Sequence, residues 1–508
     1  MRRFIKQIFS GEIFKIKDLR AIISDSEKPE RNLKKVLGAF DLIVLGVGVI
    51  IGAGIFATIG TAAAGDALRP GAGPALIVSF AITAIVCGFA ALCYAELASL
   101  VPIAGSAYTY SYAIFGEIIA WIIGWDLMLE YIVGAIAVSI SWSGYFRSML
   151  YGCGINLPAW CSIDFRAALS GTDELAKAAV ASAPQLFGIP IIFNLPAVLV
   201  VLLLTVLLIV GIKESSRFNM GIVLLKLLVL GFFIAVGAFF VKPQNWIPFA
   251  PNGFAGIKAG AAIAFFAYIG FDAISTAAEE THNPKRNMPI GIIGSLAICT
   301  IIYMLVAAVF TGIVPFSFLT QTLSHQKAEP LALAMSYINL NWAAGVIAAG
   351  AVFAQMAVLL VLLMGQARIF FSMARDGLLP SFFSRVHKRF GTPYVTTILT
   401  GLVVAFFAAF TNIEEMIDLT NIGTLFAFVL VCFGVVLLRI REPNIKRDFK
   451  VPFSPWLPLL GAAACFFLMT GLPMITWYRF VIWLVLGLLI YFIYGYRHSE
   501  LRKSKIKE

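Results

Sequence analysis

Long apolar runs separated by short polar segments make up most of this sequence. The hydrocarbon core of a bilayer is about 30 Å thick, so a helix of about 20 apolar residues crosses it once. The pattern predicts an all-α polytopic membrane protein with 12 transmembrane helices. These spans lie near residues 38–64, 73–98, 116–149, 194–213, 217–241, 256–278, 288–314, 341–371, 393–411, 417–438, 455–475 and 477–496.

Prolines stand near the starts of several predicted spans. A helix start has N–H groups without helical acceptors, so the missing N–H of proline costs nothing there. We therefore expect five prolines to open spans: Pro74, Pro196, Pro289, Pro393 and Pro455.

The composition excludes a soluble enzyme and a disordered chain, because 60% of the 508 residues are hydrophobic and only 13% are charged. The net charge of +11 comes from short loops and the chain ends, with no basic domain to bind nucleic acid. Of the 38 Lys and Arg residues, 29 fall on the side that holds both termini and 8 on the other. Both termini are therefore predicted to be cytoplasmic, in a cell membrane. Residues 13–23 are predicted to form an amphipathic helix on the inner lipid surface.

The first span carries four glycines within nine residues, Gly46, Gly48, Gly52 and Gly54. Close packing against another helix explains Gly48 and Gly52, which are four apart, but Gly52 and Gly54 face different directions. The pattern favours a helix that is unwound at mid-membrane. An unwound helix presents free N–H groups at one end and free C=O groups at the other, which suits the carboxylate and ammonium groups of an α-amino acid.

The sixth span contains a second candidate break, at Gly270, which is followed by Asp272. Spans one and six hold corresponding positions in two halves of five spans each. Interrupted helices in matching positions are typical of transporter binding sites.

Few charges lie inside the spans. Lys226 lies about 13 Å into its span, nine residues beyond Arg217, so it is a candidate proton carrier; a structural lysine held by carbonyl groups is the alternative. Asp126 and Glu130 share one helical face of span three, and Glu130 contacts either the substrate or a neighbouring helix. Four acids near span ends are expected to form gate or loop salt bridges: Asp41, Glu96, Glu279 and Glu280. Arg368 is expected to anchor the end of span eight.

The sequence offers no pattern for metal or nucleotide chemistry. The four histidines are scattered, no phosphate-binding loop for ATP occurs, and no nucleophile–base pair stands out. No enzyme activity, metal or cofactor is therefore predicted, and the coupling ion is expected to be a proton. Cys153 and Cys161 share the longest predicted outer loop. The sequence leaves open whether they form a disulfide or stay free thiols.

Four segments carry motifs of a known family: 48–56 (GVIIGAGIF), 94–110 (YAELASLVPIAGSAYTY), 265–289 (FFAYIGFDAISTAAEETHNPKRNMP) and 374–380 (ARDGLLP). They resemble the amino acid–polyamine–organocation superfamily, specifically the bacterial relatives of the cationic amino acid transporters. The resemblance covers roughly residues 34–500. It implies a LeuT-type fold of two inverted five-helix repeats and two C-terminal helices. The implied parts are an N-terminal cytoplasmic segment (1–37), the repeats (38–241 and 242–438), the added helices (439–496) and a basic cytoplasmic tail (497–508).

The resemblance also implies roles for single residues. The substrate carboxylate would meet the amides of Ala53 and Gly54, beside the helix breaks at Gly52 and Gly270. The ammonium group would meet backbone carbonyls of five residues: Ile50 or Ile51, and Phe266, Ala267 and Ile269. Phe266 would also cover the occluded site. Lys226 falls where proton-coupled relatives carry a lysine in place of a sodium site. Glu130 matches an acid in span three, and Leu362 lies on the stretch of span eight that faces the substrate side chain.

We expect a secondary active transporter that imports small neutral amino acids with protons by alternating access. Many relatives have Ser or Thr at the position of Ala53, and Leu362 is apolar, which favours neutral substrates. Glu130 keeps transport of arginine or lysine open. Amino acid exchange and a nontransporting amino acid sensor are the other interpretations, and a small single-span partner subunit also stays open.

Overall fold

The computed structural model describes residues 37–100, 106–170, 174–211, 216–322, 329–445 and 447–503. The amphipathic helix predicted over 13–23 lies outside these residues. In the first half, a short hairpin pairs β1 (Gln185–Leu186) with β2 (Ile189–Pro190). The helices of this half are α1 (Ala39–Ile50), α2 (Ala53–Ala64), α3 (Leu76–Leu100), α4 (Ser106–Ile114), α5 (Glu117–Gly152), α6 (Phe165–Ser170), α7 (Glu174–Ser182), α8 (Leu195–Val210) and α9 (Ser216–Ala238).

The second half continues the helical pattern. Its helices are α10 (Gly253–Ala264), α11 (Pro284–Ile313), α12 (Phe316–Thr322), α13 (Pro330–Tyr337), α14 (Asn341–Arg375), α15 (Tyr394–Phe410), α16 (Ile413–Arg441), α17 (Trp456–Met469), α18 (Met474–Ile490), α19 (Tyr496–His498) and α20 (Glu500–Lys503). Short 3₁₀ helices cover Gly73–Ala75, Ala159–Cys161, Pro243–Trp246, Phe265–Tyr268, Asp272–Glu280 and Ser381–Ser384, and a π-helix covers Tyr491–Gly495.

Eight helices in the described residues are long and apolar enough to cross a bilayer, and the bent pair α1–α2 makes a ninth if it is one span. Three shorter apolar helices, α8, α15 and α17, occupy three further predicted positions. The chain is therefore a helical, multi-pass membrane protein, and the count of 12 spans stays a prediction.

The prediction that Pro289 opens a span is wrong. α11 begins at Pro284, and Pro289 lies inside it. Asn283 adopts a left-handed backbone (φ 46°) that turns the chain into the helix, and Pro284 fits the first helical position. A search for apolar runs places the start of this helix too late, because the residues directly after Pro284 are polar. Pro196, by contrast, lies in the first turn of α8.

Helices of the two halves pack in matching pairs. α3 packs along α11, α5 along α14, and α8 along α15, so the second, third and fourth predicted spans contact the seventh, eighth and ninth. α2 packs against α10, which relates the first and sixth spans in the same way. In the antiparallel α5–α14 pair, Gly134 faces Leu362, and the Trp142 indole donates a 3.1 Å hydrogen bond to the Val352 carbonyl.

The loop between α5 and α8 contains two free thiols, so the disulfide left open from the sequence is not formed in this structure. Cys153 is exposed, whereas Cys161 is buried and donates to the Pro158 carbonyl at 3.3 Å. Burial raises the pKa of the Cys161 thiol.

Candidate functional site

The first predicted span is interrupted between α1 and α2, whose axes are bent by 48°. The amide of Ile51 still donates to Val47 (2.9 Å). The amide of Gly52 donates to Ile50 (2.7 Å) and not to Gly48, its helical acceptor. The Gly48 carbonyl is thereby freed for another donor, and the first N–H groups of α2 have no helical acceptor either.

Lys226 on α9 supplies the donor for the freed carbonyl. Its side chain is 2% exposed, and Nζ donates a 2.7 Å hydrogen bond to the Gly48 oxygen. α9 comes this close because Gly48 has no side chain: a Cβ there would lie 2.4 Å from Cγ2 of Val223. A buried ammonium group needs such a partner, because an unpaired charge in an apolar interior is costly.

The sixth predicted span is interrupted as well. α10 gives way to the 3₁₀ helix Phe265–Tyr268, Gly270 adopts a φ of +112°, and the 3₁₀ helix Asp272–Glu280 follows. Such a φ favours glycine, because a Cβ strains it. A Cβ on Gly270 would also lie 2.7 Å from Cγ1 of Val49, so this break packs directly on α1.

Two further contacts join the interrupted spans. A Cβ on Gly54 would lie 2.2 Å from Cα of Ala267, so α2 crosses the second break in backbone contact. The Tyr303 hydroxyl on α11 lies 2.8 Å from the Ile50 carbonyl oxygen and 2.9 Å from that of Ala267. A hydroxyl carries one proton, so the two carbonyls share one donor. Tyr303 thus occupies two carbonyls that the family resemblance assigns to a substrate ammonium group.

A cavity of about 580 Å³ lies beside the two breaks. Ten residues predicted for the site line it: Ile50, Gly52, Ala53, Gly54, Glu130, Lys226, Phe266, Ile269, Gly270 and Leu362. Ile51 and Ala267 are not among its lining residues. Both are fully buried, and Ala267 is covered by Gly54 of α2.

Four charged side chains line the cavity: Lys226, Arg368, Glu130 and Asp272. Their formal charges balance. Oδ1 of Asp272 is buried and has no hydrogen-bond partner among the described residues. α5 and α14 add an apolar stretch of wall that includes Gly134, Val138, Val358 and Leu362. The cavity therefore combines a balanced polar lining with an apolar surface.

Asp126 is not among the residues that line this cavity. It lies one turn before Glu130 on α5 and is fully buried against α16, where a Cβ on Gly423 would lie 2.8 Å from its Oδ1. Neither carboxylate oxygen has a hydrogen-bond partner in the part of the chain that the structure describes. Of Asp126 and Glu130, only Glu130 lines the cavity.

The acids predicted near span ends hold structural contacts where their side chains are described. Glu96 is buried and pairs with Arg439 and Arg447. Asp41 accepts a 2.8 Å hydrogen bond from the backbone at the start of α1. The other two side chains lie outside the described residues: Glu279 and Glu280.

The cavity extends toward the C-terminal end of α14. Its lining on this helix runs from Ala357 to Ser372, close to the helix end at Arg375. Arg368 is exposed at this end, and Tyr108 of α4 also lines the cavity. We call Tyr108, Arg368 and Ser372 the mouth. Arg368, expected to anchor the end of its span, is thus part of the cavity wall.

Buried ion pairs lie at the end of α2 that is far from the break. Arg69, in the loop after α2, lies 2.8 Å from Asp66. Its guanidinium group also forms two 2.9 Å hydrogen bonds with the carboxylate of Asp418 on α16. Such a bidentate pair fixes geometry as well as charge. It ties the loop after α2, at the end of the first interrupted span, to α16.

Comparison with known proteins places this architecture in a family. The profile of the amino acid permease family matches residues 37–494, nearly the whole chain. The chain belongs to the amino acid permease family. The permease is 46% identical to the branched-chain amino acid permease of Bacillus subtilis over 493 residues, which are 97% of this chain and 100% of the relative. It is 44% identical over the same shares to the methylthioribose transporter of that organism.

A eukaryotic relative is also similar. The permease is 35% identical to the cationic amino acid transporter 4 of Homo sapiens over 422 residues, which are 82% of this chain and 61% of the relative. These relatives are named as permeases and transporters. The permease is accordingly a transport protein and not an enzyme.

The permease also contains site residues that the sequence did not single out. Tyr303, Tyr108 and Tyr131 line or brace the cavity, but tyrosines inside apolar runs give no periodic signal. Tyr303 is the single tyrosine of α11, and this is the one sign that could have pointed to it. Asp272 stood out beside the second break, and its position two residues after Gly270 is what brings it to the cavity.

Proposed function

We propose that this permease is a secondary active transporter that imports small neutral amino acids together with protons by alternating access. The observation that carries the proposal is the meeting of two interrupted helices at one cavity, with the C=O end of α1 and the N–H end of α2 on its wall. Helix N-termini favour carboxylates and C-termini favour cations, so a zwitterionic amino acid fits across the break.

The backbone groups divide between the two ends of the substrate. The carboxylate would bind the amides of Ala53 and Gly54 at the start of α2. The ammonium group would bind carbonyls at Ile50 and Ile269, displacing or sharing the Tyr303 hydroxyl at Ile50. Ala53 has no side-chain hydroxyl, but its backbone amide alone supplies the hydrogen-bond donor.

The lining favours a neutral substrate side chain. Lys226 and Arg368 offset Glu130 and Asp272, so the cavity offers no net attraction to a cation. The apolar stretch around Leu362 suits a short aliphatic side chain. The similarity to a branched-chain amino acid permease supports this choice. Cationic substrates remain the second candidate, because Glu130 and Asp272 both face the cavity.

Lys226 is the proposed proton carrier. As an ammonium group it attracts the C-terminal carbonyl end of α1 through charge as well as hydrogen bonding; as a neutral amine it loses the charge contribution. Loss of the proton would therefore loosen α1 from α9. Because α1 carries the substrate carbonyls, proton occupancy and substrate occupancy would be coupled.

The proposed fold is two inverted repeats of five spans followed by two further spans. The matching contacts of α3 with α11, α5 with α14 and α8 with α15 support this symmetry. With both termini in the cytoplasm of a cell, the mouth would face the cytoplasm and the Arg69–Asp418 pair would close the outer side. The structure would then correspond to an inward-facing state in the cell membrane.

The test is uptake of labelled alanine into proteoliposomes with an inward proton gradient. We expect accumulation above the external concentration, competition by small neutral amino acids, and little competition by arginine. Lys226→Met should abolish accumulation, whereas Lys242→Met, which changes an exposed loop lysine, should leave it intact.

Other outcomes would contradict the proposal in distinct ways. Uptake that requires amino acid inside the vesicles would indicate an exchanger. Binding in detergent without any flux would indicate a sensor. Competition by arginine alone would favour a cationic substrate, and gradient-driven accumulation by Lys226→Met would exclude the proton role of that lysine.

A further inference from the structure

Glu117, the first residue of α5, is a fully buried acid outside the cavity. Four groups bind its carboxylate: the hydroxyls of Tyr112 (3.1 Å), Tyr491 (2.8 Å) and Ser499, and the guanidinium group of Arg502 (3.0 Å). Three of the four belong to residues 491–503, which we call the C-terminal segment.

This contact has the chemistry of a specific docking site. A buried carboxylate is stable only if charge and hydrogen bonds compensate its lost hydration, and here the C-terminal segment supplies the cation. The guanidinium carbon of Arg502 also lies 3.7 Å from the ring centroid of Tyr496, which holds the arginine in place. Release of the segment would leave Glu117 without its ion-pair partner.

The segment makes a second contact at the end of α14. The Glu500 amide donates a 3.1 Å hydrogen bond to the Asp376 carbonyl. Gly377 adopts a φ of +77°, and a Cβ on it would lie 2.3 Å from the His498 carbonyl, so only glycine admits the segment this closely. The segment therefore bridges the start of α5 and the end of α14.

Asp376 links this docking contact to the cavity. Its carboxylate accepts a 2.8 Å hydrogen bond from the hydroxyl of Tyr108, a residue of the mouth. Tyr108 lies on α4, which packs against both α5 and the 3₁₀ helix Asp272–Glu280 of the second interrupted span. A cavity-lining side chain is thus held by the residue on which the C-terminal segment docks.

We propose that the C-terminal segment is an intramolecular strap that holds Tyr108 at the mouth, with Glu117 and Asp376 as positioning residues. Docking of the strap fixes α4 against α5 and α14, and undocking frees Tyr108 and widens the mouth. The strap thereby sets how readily substrate passes on this side. The consequence for transport rests on the proposed function, whereas the effect on the mouth does not.

The test places a reporter cysteine at the mouth, Ser372→Cys, in a Cys153→Ser background, and measures its rate of labelling by a maleimide in detergent. Arg502→Gln and Glu117→Gln should each raise this rate roughly tenfold or more, the change expected for loss of one charge-assisted hydrogen bond. The labelling rate of the double variant should equal that of each single variant, because each single variant already removes the contact between Arg502 and Glu117. Arg502→Lys should restore most of the wild-type rate.

Arg497→Gln is the matched control, since Arg497 is exposed on the same segment. If Glu117→Gln does not fold, Arg502→Gln and Tyr108→Phe carry the test, because both leave Glu117 in place. Labelling rates equal to that of the control would overturn the strap. Efflux of amino acid from vesicles is measured in parallel. In Arg502→Gln, the half-saturating amino acid concentration should change more than the maximal efflux rate. A wild-type permease without flux would contradict the proposed function while the labelling rates still decide the inference.

Discussion

At the scale of single residues, Gly48 combines two roles that depend on its missing side chain. Its carbonyl is freed by the break and accepts from Lys226, and its Cα admits α9 within van der Waals contact. The sequence showed the glycine cluster and the buried lysine, but not that they touch, because nothing in a single sequence pairs residues 178 positions apart. Tyr303 was missed for the same reason.

Gly48→Ala should destabilise the permease, because the added methyl group would overlap Val223. Overpacking of this kind costs about 1–3 kcal/mol. We expect a lower unfolding temperature in detergent and weaker uptake, with both partly restored in Gly48→Ala/Val223→Ala. Gly221→Ala on α9 is the control, since nothing lies within 4 Å of a Cβ there. A Gly48→Ala variant as stable as the control would show that the close approach is unimportant.

The two loop thiols should differ in reactivity. Burial raises the pKa of Cys161, so its reactive thiolate is scarcer at neutral pH, whereas Cys153 is exposed. Peptide mass spectrometry after brief maleimide treatment at pH 7 should show Cys153 modified well before Cys161. Labelling of Cys161 should increase as the pH rises toward its raised pKa. Equal rates at pH 7, or recovery of a linked peptide pair, would contradict this account of the loop.

At the scale of elements, the glycine pattern indicated where spans one and six are interrupted, and hydropathy located the long helices. Hydropathy placed a helix start wrongly where the first turn is polar, as in α11, which begins at Pro284. It also gave no geometry for the second break, where helix turns into 3₁₀ structure around Gly270. That geometry depends on contacts with α1 and α11, which lie far away in sequence.

Tyr303→Phe tests how the interrupted elements are joined. The change keeps the ring but removes the hydroxyl that bridges the Ile50 and Ala267 carbonyls. An unsatisfied buried acceptor costs about 1–3 kcal/mol, so both thermal stability and uptake should fall. Tyr337→Phe, at a partly exposed tyrosine, should change neither. Unaltered uptake by Tyr303→Phe would show that the bridge does not position the breaks.

At the scale of the whole molecule, the cavity lining reaches the exposed Arg368 near the end of α14, and a buried ion pair lies at the far end of α2. Hydropathy and charge counts predicted a multi-pass protein and its orientation, but no pattern along the chain tells which side of a transporter is open. That depends on pairs such as Arg69 with Asp418, which join distant segments. If access alternates between the two sides, as proposed, the stabilities of the two closed sides are interdependent.

Asp418→Asn should shift the permease away from the state described here. Breaking a buried ion pair removes several kcal/mol of stabilisation from the state that contains it. The closed side should therefore open more often, and the mouth should close. The labelling rate of Ser372→Cys should then fall roughly tenfold or more. Glu415→Gln weakens a more exposed pair on the same side and should have a small effect. An unchanged rate in Asp418→Asn would show that this pair does not hold the closed side.

The central claim is that amino acid and proton cross the membrane together through the cavity at the two breaks. The most direct measurement is the interior pH of proteoliposomes that contain a trapped fluorescent pH indicator, with no gradient imposed at the start. Addition of alanine outside should acidify the interior, and Lys226→Met should abolish the change while Lys242→Met preserves it. Entry of labelled alanine into the same vesicles without any acidification would contradict the account.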